Sequence, residues 1–282
     1  MNSNELNKIF SEYNIKNVST FAESSNKILL GKLNKKNVYI RKMENNENNR
    51  NKIEIEINIL KHLSCESFPS VKPIENIPLI YFENYFYIVF EGIEGIAGWK
   101  CKSNNYYKEC GKIIGKLHLL LDQINEEYSI LSQNIESNDF NELLKEIKKE
   151  LDNKILKINY GIIHSDLHSG NILLSNEKYY IIDFGSFNYG YRIVDLLNLA
   201  YEIFNEGIDV NKNMDILINN YQKYSSIGNI NEKIINLLIL EADISEYEIM
   251  IKRNEMNTNY FKRLKIKLEN KEPSFEIGRY FA

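Results

Sequence analysis

The side chains of this chain whose types and spacing point most directly to chemistry are Asp166, Asn171 and Asp183. The stretch 162–174 reads Ile-Ile-His-Ser-Asp-Leu-His-Ser-Gly-Asn-Ile-Leu-Leu, and 179–185 reads Tyr-Tyr-Ile-Ile-Asp-Phe-Gly. Two short apolar runs flank the polar turn Ser175-Asn176-Glu177-Lys178, which predicts a β-hairpin. If Leu174 opposes Tyr180, then Leu173 opposes Ile181, Ile172 opposes Ile182, and the next rung sets Asn171 against Asp183. Directly opposed Cβ atoms lie roughly 4.5–5.5 Å apart in an antiparallel pair. An amide oxygen and a carboxylate at that separation suit Mg²⁺, which takes few protein ligands and completes its shell with water and phosphate oxygens. Asp166, in the loop before this end, could take the proton of an attacking hydroxyl. A base, an Asn five residues on, and the Asp of an Asp-Phe-Gly turn match the template for phosphoryl transfer. Any one of the three alone would read as an ordinary turn residue.

The elements that must position these groups follow from periodicity. Alternating stretches at 27–33 and 37–42, joined by a turn at 34–36, predict two strands. Ile53, Ile57, Leu60 and Leu63 lie near helical spacing, and Phe68-Pro69 stops that helix. Runs at 79–82 and 85–90 flank Glu83-Asn84 as a hairpin. Three glycines, Gly92, Gly95 and Gly98, suggest a hinge. Beyond it, amphipathic helices are predicted at 106–121, 140–151, 193–204, 214–221 and 234–251. The expected fold class is α+β, with a β-rich part at 1–92 and a larger helical part at 93–282.

His164-x-Asp166-x-x-x-x-Asn171, followed by Ile182-Asp183-Phe184-Gly185, resembles the aminoglycoside phosphotransferase, choline kinase and type II homoserine kinase superfamily. The family loop reads His-Gly-Asp-Leu-His-x-x-Asn, and Ser165 stands where the Gly is usual. The resemblance implies a two-lobed protein-kinase-like fold: a small antiparallel sheet with one main helix, then a mostly helical lobe. It extends to Gly115-Lys116-Leu117-His118, to Asp195 in Tyr191-Arg192-Ile193-Val194-Asp195-Leu196, and to the adenine-holding hinge at 90–95, with Glu91 and Ile93. Val38-Tyr39-Ile40-Arg41 is similar to the strand whose basic residue holds phosphates. Arg grips phosphate through a planar fork, so Arg41 serves where Lys is common. Its helix partner is Glu56, with Glu54 the runner-up. No glycine-rich loop is present; residues 21–26 take its place, and Ser24 and Ser25 would offer phosphate donors. The implied activity is transfer of the γ-phosphoryl of ATP or GTP, with Mg²⁺, to a hydroxyl of a small molecule. Asp166 is then catalytic, Asn171 and Asp183 hold metal, and His164, His168 and Asp195 support the site. The acceptor would be aminoglycoside-like or a metabolite such as choline, homoserine or methylthioribose.

More distant readings are a protein kinase, a metallohydrolase on His164-x-Asp166-x-His168, and a nucleotide-binding module without turnover. Residues 183–195 are short for a peptide-docking loop and carry no Ala-Pro-Glu. Dinuclear hydrolase sites need more ligands than 4 His provide. Gly111 to Lys116 has the wrong spacing for a P-loop, and Trp99, the only Trp, reads as a core or rim residue. Glu241, Asp243, Glu246 and Glu248 suit a cationic acceptor if they line the cleft, and otherwise form a solvated face. A net charge of −4, with no long basic run, argues against nucleic acid or anionic membrane as partner. No apolar run approaches membrane-spanning length, the first ten residues are polar, and 3 Cys show no Cys-x-x-Cys spacing. These features predict a cytoplasmic enzyme.

Overall fold

The computed structural model describes residues 3–23, 27–77, 79–102, 105–124, 137, 139–152, 160–207, 209–228 and 230–276. These gather into two compact units. The described residues of Met1–Cys101, Ile124–Leu131 and Ser169–Ser186 form one, and those of Lys102–Gln123, Ser132–His168 and Phe187–Ala282 the other.

The first unit is built on a five-stranded antiparallel sheet. Its strands are β1 (Ile15–Glu23), β2 (Lys27–Leu33), β3 (Lys36–Glu44), β4 (Ile80–Phe82) and β5 (Tyr85–Glu91), in the order β1-β2-β3-β5-β4. Asn34 and Lys35, both with positive φ, make the two-residue turn between β2 and β3, a geometry that matches the right-handed strand twist. The alternation of β3 divides its side chains between faces. Val38 and Ile40 join a core with Leu29, Tyr87, Val89 and Leu6 and Phe10 of helix α1 (Ser3–Ser11). Tyr39 and Arg41, one residue out of phase, line a cavity instead. Helix α2 (Glu47–Cys65) starts where the Asn46 side chain accepts the Asn49 N–H at 2.9 Å, so the polar stretch before Ile53 is already helical. It buries Ile53, Ile59, Leu60 and Leu63 and, on the same helix, Glu56.

A second, three-stranded sheet of this unit runs β6 (Ile96–Ala97), β8 (Ile172–Ser175) and β9 (Lys178–Ile181). Ile96 pairs with Leu174 and Ala97 with Leu173. Ile181 is bonded on both sides by the segment after α2: its N–H donates to the Pro69 carbonyl at 3.0 Å and its carbonyl accepts the Val71 N–H at 3.1 Å. These bonds tie the hairpin to the first unit. The hairpin register corrects the expected one. Ser175 pairs with Lys178, Leu174 with Tyr179, Leu173 with Tyr180 and Ile172 with Ile181. Asn171 therefore opposes Ile182, whose N–H donates to the Asn171 carbonyl at 3.0 Å, and Asp183 lies one residue beyond. The cause is the turn: Leu174 opposite Tyr180 would leave residues 175–179 in the loop, whereas only Asn176 and Glu177, with φ of 47° and 62°, are in it, and this even-numbered turn shifts the pairing by one.

The second unit is mainly helical, with α3 (Tyr106–Leu121), α4 (Asn141–Asp152), α5 (Val194–Glu206), α6 (Val210–Tyr221), α7 (Glu232–Lys252) and α8 (Asn259–Glu269). Strands β7 (Tyr160–Ile163) and β10 (Asn188–Tyr191) pair antiparallel. The glycines Gly111 and Gly115 of α3 permit close approach to α6, since a Cβ on either would strike the carbonyls of Leu217 or Tyr221. No helix among the described residues is long and apolar enough to cross a membrane.

The acidic stretch of α7 is engaged inside this unit. Glu248 accepts the Ser137 hydroxyl at 2.5 Å, and buried Asp243 accepts the Ser274 N–H at 2.7 Å. Burial raises the Asp243 carboxyl to about 6, against the opposing hydrogen bonds from Ser274. A carboxyl raised on folding stabilises the fold fully below its unfolded value of 3.8, and the contribution is lost as pH rises through about 6. Asp243→Asn should therefore remove a stability slope between these two pH values. It should add about 2–3 kcal/mol at pH 7.5 in urea unfolding, with little effect near pH 4.

Candidate active site

In the first unit, β3 delivers Arg41 and α2 delivers Glu56 to one point. Their side chains are only 3% and 2% exposed, and they form an ion pair through Nη2 and Oε1. Glu54, two residues away on the helix, is exposed. The other side of the guanidinium faces the hairpin end, with Nη1 3.6 Å from Asp183 Oδ1. Phe90 of β5 lies under the same group, its ring centroid 5.1 Å from Cζ. Lys52, one turn before Glu56, has its ammonium lowered by burial, with Glu56 opposing the shift and Arg41 adding to it. Removing one partner of a buried ion pair leaves the other charge uncompensated, so Arg41 and Glu56 depend on each other.

Asp183 has φ of 58°, a left-handed conformation that turns the chain out of β9 and leaves the carboxylate 51% exposed. The chain continues into a single 3-10 turn, Phe184–Ser186, in which Phe184 is buried. Gly185 is held to glycine by space, because a Cβ would collide with Arg41 Nη1 and lie 3.3 Å from Asp183 Oδ1. Asn171 is 8% exposed at the matching end of β8.

Arg41 and Asp183, though not Asn171, border a cavity of about 560 Å³ built from the first unit's side chains. Arg41, Glu56 and Asp183 line it alongside an apolar wall that includes Val71, Phe90, Ile93, Leu173 and Ile182. The Ile93 backbone N–H has no hydrogen-bond partner among the described residues. Glu91 does not line the cavity; its own N–H donates to the Lys72 carbonyl at 2.8 Å. Within the same cavity the buried Arg41 Nε and Nη1 make no hydrogen bond. A buried guanidinium with unsatisfied N–H groups marks a place for an anion. Ser24 and Ser25 lie outside the described residues.

In the second unit, β7 runs directly into the loop carrying Asp166, whose carboxylate is 48% exposed and lies 3.8 Å from His168 Nε2. This loop hangs on Asp195, which is fully buried at the start of α5. Asp195 Oδ2 accepts the His164 N–H at 2.8 Å and Oδ1 accepts the Ser165 N–H at 2.7 Å. The Asp195 Oδ2–His118 Nε2 separation is 2.9 Å, and His118 Nδ1 is 2.9 Å from the Tyr221 hydroxyl. Burial raises the Asp195 carboxyl, but the hydrogen bond and charge of His118, with the His164 contacts, overcome it and hold the group below its ordinary value. The roles of His118 and Tyr221 were not readable from periodicity, since each merely sits on the apolar stripe of its helix.

Ser165 has φ of 70°, where a Cβ costs roughly 1 kcal/mol and Gly costs almost nothing. Ser165→Gly should accordingly raise unfolding stability by about 0.5–1 kcal/mol, measured by denaturant titration.

The profile of the phosphotransferase enzyme family matches residues 22–214, which is more than half of the chain. The chain belongs to this family. The sequence resemblance to the aminoglycoside phosphotransferase and choline kinase superfamily is thus confirmed. Among solved structures, an amicoumacin kinase in complex with AMP-PNP, Ca²⁺ and Ami superposes with a TM-score of 0.75 at 15% identity, covering 96% of this chain and 97% of that one. A spectinomycin phosphotransferase, in complex with ADP and spectinomycin, gives 0.62 at 18% identity, covering 100% and 98%. A choline kinase from Streptococcus pneumoniae gives 0.63 at 15% identity, covering 95% and 97%. At these identities the likeness establishes the protein-kinase-like α+β fold. No curated protein matches the sequence.

Proposed function

We propose that this phosphotransferase is a small-molecule kinase that moves the γ-phosphoryl group of ATP or GTP to a hydroxyl of its acceptor. The observation that carries the reading is the buried Arg41 guanidinium, anchored on one side by Glu56 and unsatisfied on the cavity side. A triphosphate would satisfy those N–H groups, its base would occupy the apolar wall, and the Ile93 N–H could donate to the base edge. That the amicoumacin kinase and the spectinomycin phosphotransferase carry AMP-PNP and ADP in their solved complexes supports this assignment.

Asn171 and Asp183 offer hard oxygen donors of the kind Mg²⁺ selects, and Asp183 is exposed enough to meet one. Bound there, the ion would neutralise charge on phosphate oxygens. Asp166 would orient the acceptor hydroxyl and receive its proton, while His164 and His168 support the loop and Asp195 fixes its backbone. Positioning and charge neutralisation would supply most of the rate. Residues 1–92 would chiefly serve the nucleotide and residues 93–282 the catalytic loop and acceptor, in the cytoplasm where nucleoside triphosphates abound.

An antibiotic-like acceptor is favoured by the fold likeness to the amicoumacin and spectinomycin enzymes, and small alcohols such as choline, homoserine and methylthioribose form the alternative. The test is a nucleotide-consumption screen with ATP and GTP against aminoglycosides, related antibiotics, choline, ethanolamine, homoserine and methylthioribose. Acceptor-dependent diphosphate release with a phosphorylated product is the expected result. Failure of the purified chain to bind either nucleotide by calorimetry would overturn the proposal.

A further inference from the structure

The cavity that holds Arg41 also exposes two large aromatic side chains that nothing in the proposed chemistry uses. Phe21 of β1 and Trp99 of the short 3-10 turn Gly98–Lys100 are each 58% exposed, yet both line the cavity. Solvent exposure of one large aromatic is unremarkable, but two on the rim of one concave site are informative.

Phe21 is aimed there by a defect in the sheet. Thr20 pairs with Leu29 and Ala22 with Ile28, so Phe21 is an extra residue on β1 with no partner on β2. A bulge of this kind gives up ladder pairing and re-aims one side chain. The ring then packs edge-on against Tyr39, at 5.3 Å between centroids, beside Arg41 on the same strand. Trp99 is set by a different element. Strand β6 pairs with β8, and the turn that follows is closed by the Cys101 N–H donating to the Gly98 carbonyl at 3.0 Å. The Lys100 ammonium sits over one face of the indole, 4.7 Å from its centroid, and the side chain as a whole stays more than half exposed.

We infer that Phe21 and Trp99 form an aromatic clamp for the base of the nucleotide. The inference rests on the nucleotide reading of the cavity and adds two affinity-determining residues to it. A planar base is the part of a nucleotide that aromatic faces recognise irrespective of hydrogen-bond pattern. The phosphate end is served by Arg41, so the two ends of the ligand should respond to different substitutions.

The experiment uses the full chain, a non-hydrolysable ATP analogue with Mg²⁺, and inorganic triphosphate as a base-free probe, with affinities from calorimetry. Because Trp99 is the only Trp, a saturable change in intrinsic fluorescence on nucleotide addition is also expected. Phe21→Ala and Trp99→Ala should each weaken the analogue about tenfold and leave triphosphate within about twofold. Arg41→Ala should weaken both probes. Trp99→Phe should recover most of the lost affinity, and the melting midpoint of the Trp99 variants should stay near that of the parent. Alanine variants that bind the analogue as the parent does would overturn the clamp while leaving the nucleotide site standing. Equal weakening of analogue and triphosphate would overturn it too, by showing a general loss of the cavity. A parent chain that binds neither probe would remove the nucleotide reading and the clamp together.

Discussion

Asp166→Asn should lower acceptor phosphorylation by about 10³-fold and leave nucleotide affinity within about twofold. A positioned general base contributes roughly 10²–10⁴-fold, and the amide keeps the shape of the carboxylate while losing its capacity to take a proton. The loop itself should survive the change. Its backbone is fixed through the His164 and Ser165 N–H groups bonded to Asp195, not through the Asp166 carboxylate. The nucleotide should bind nearly as before because the cavity around Arg41 is lined by other side chains. The loss should appear in kcat, since a proton acceptor acts only as the hydroxyl attacks. Steady-state rates with a saturating acceptor, together with calorimetric nucleotide binding, give the two numbers required. A variant that turns over at the parental rate would remove Asp166 from the role of base.

The chemistry-bearing segments were legible because each is short and internally ordered. The loop at 164–171 and the Asp183 turn carry their identity in consecutive residues, and Arg41 followed from the resemblance of 38–41 to the strand whose basic residue holds phosphates. The meeting of Arg41 with Glu56 rather than Glu54 is also a local matter, since helical spacing puts Glu56 on the buried stripe with Leu60 and Leu63. What was hidden depends on backbone torsions. Glu177 at positive φ is not a residue that announces a two-residue turn, so the hairpin register was displaced by one. Two irregularities in β1, after Lys16 and at Phe21, break the alternation that would have revealed this strand. The attachment of Ile181 to Pro69 and Val71 is a contact between residues more than a hundred positions apart, and no periodicity encodes it. The same holds for His118, whose partner Asp195 lies 77 positions away in sequence.

That remote pair sets the largest expected effect on stability. Asp195→Ala should destabilise the chain by about 3–5 kcal/mol, enough to consume much of an ordinary domain's margin. The carboxylate is fully buried, and its removal strands the His164 N–H and the His118 ring nitrogen in a place water does not reach and unpairs the part-buried Ser165 N–H. Ser165 adds to the cost, because its left-handed backbone is held by the bond to Asp195. Asp195→Asn separates charge from shape: it retains one acceptor oxygen, so its penalty should fall between the parent and the alanine variant. The pH dependence has a definite sign. A carboxyl held below its ordinary value on folding gives stability that is present above 3.8 and is lost as pH falls through the lower folded value. Urea unfolding from pH 7 down into the acid range should therefore show the parent losing stability below about pH 4 with a steeper slope than Asp195→Asn. Equal slopes would mean that folding leaves this carboxyl's affinity for protons unchanged, and the lowering ascribed to His118 and His164 would be overturned.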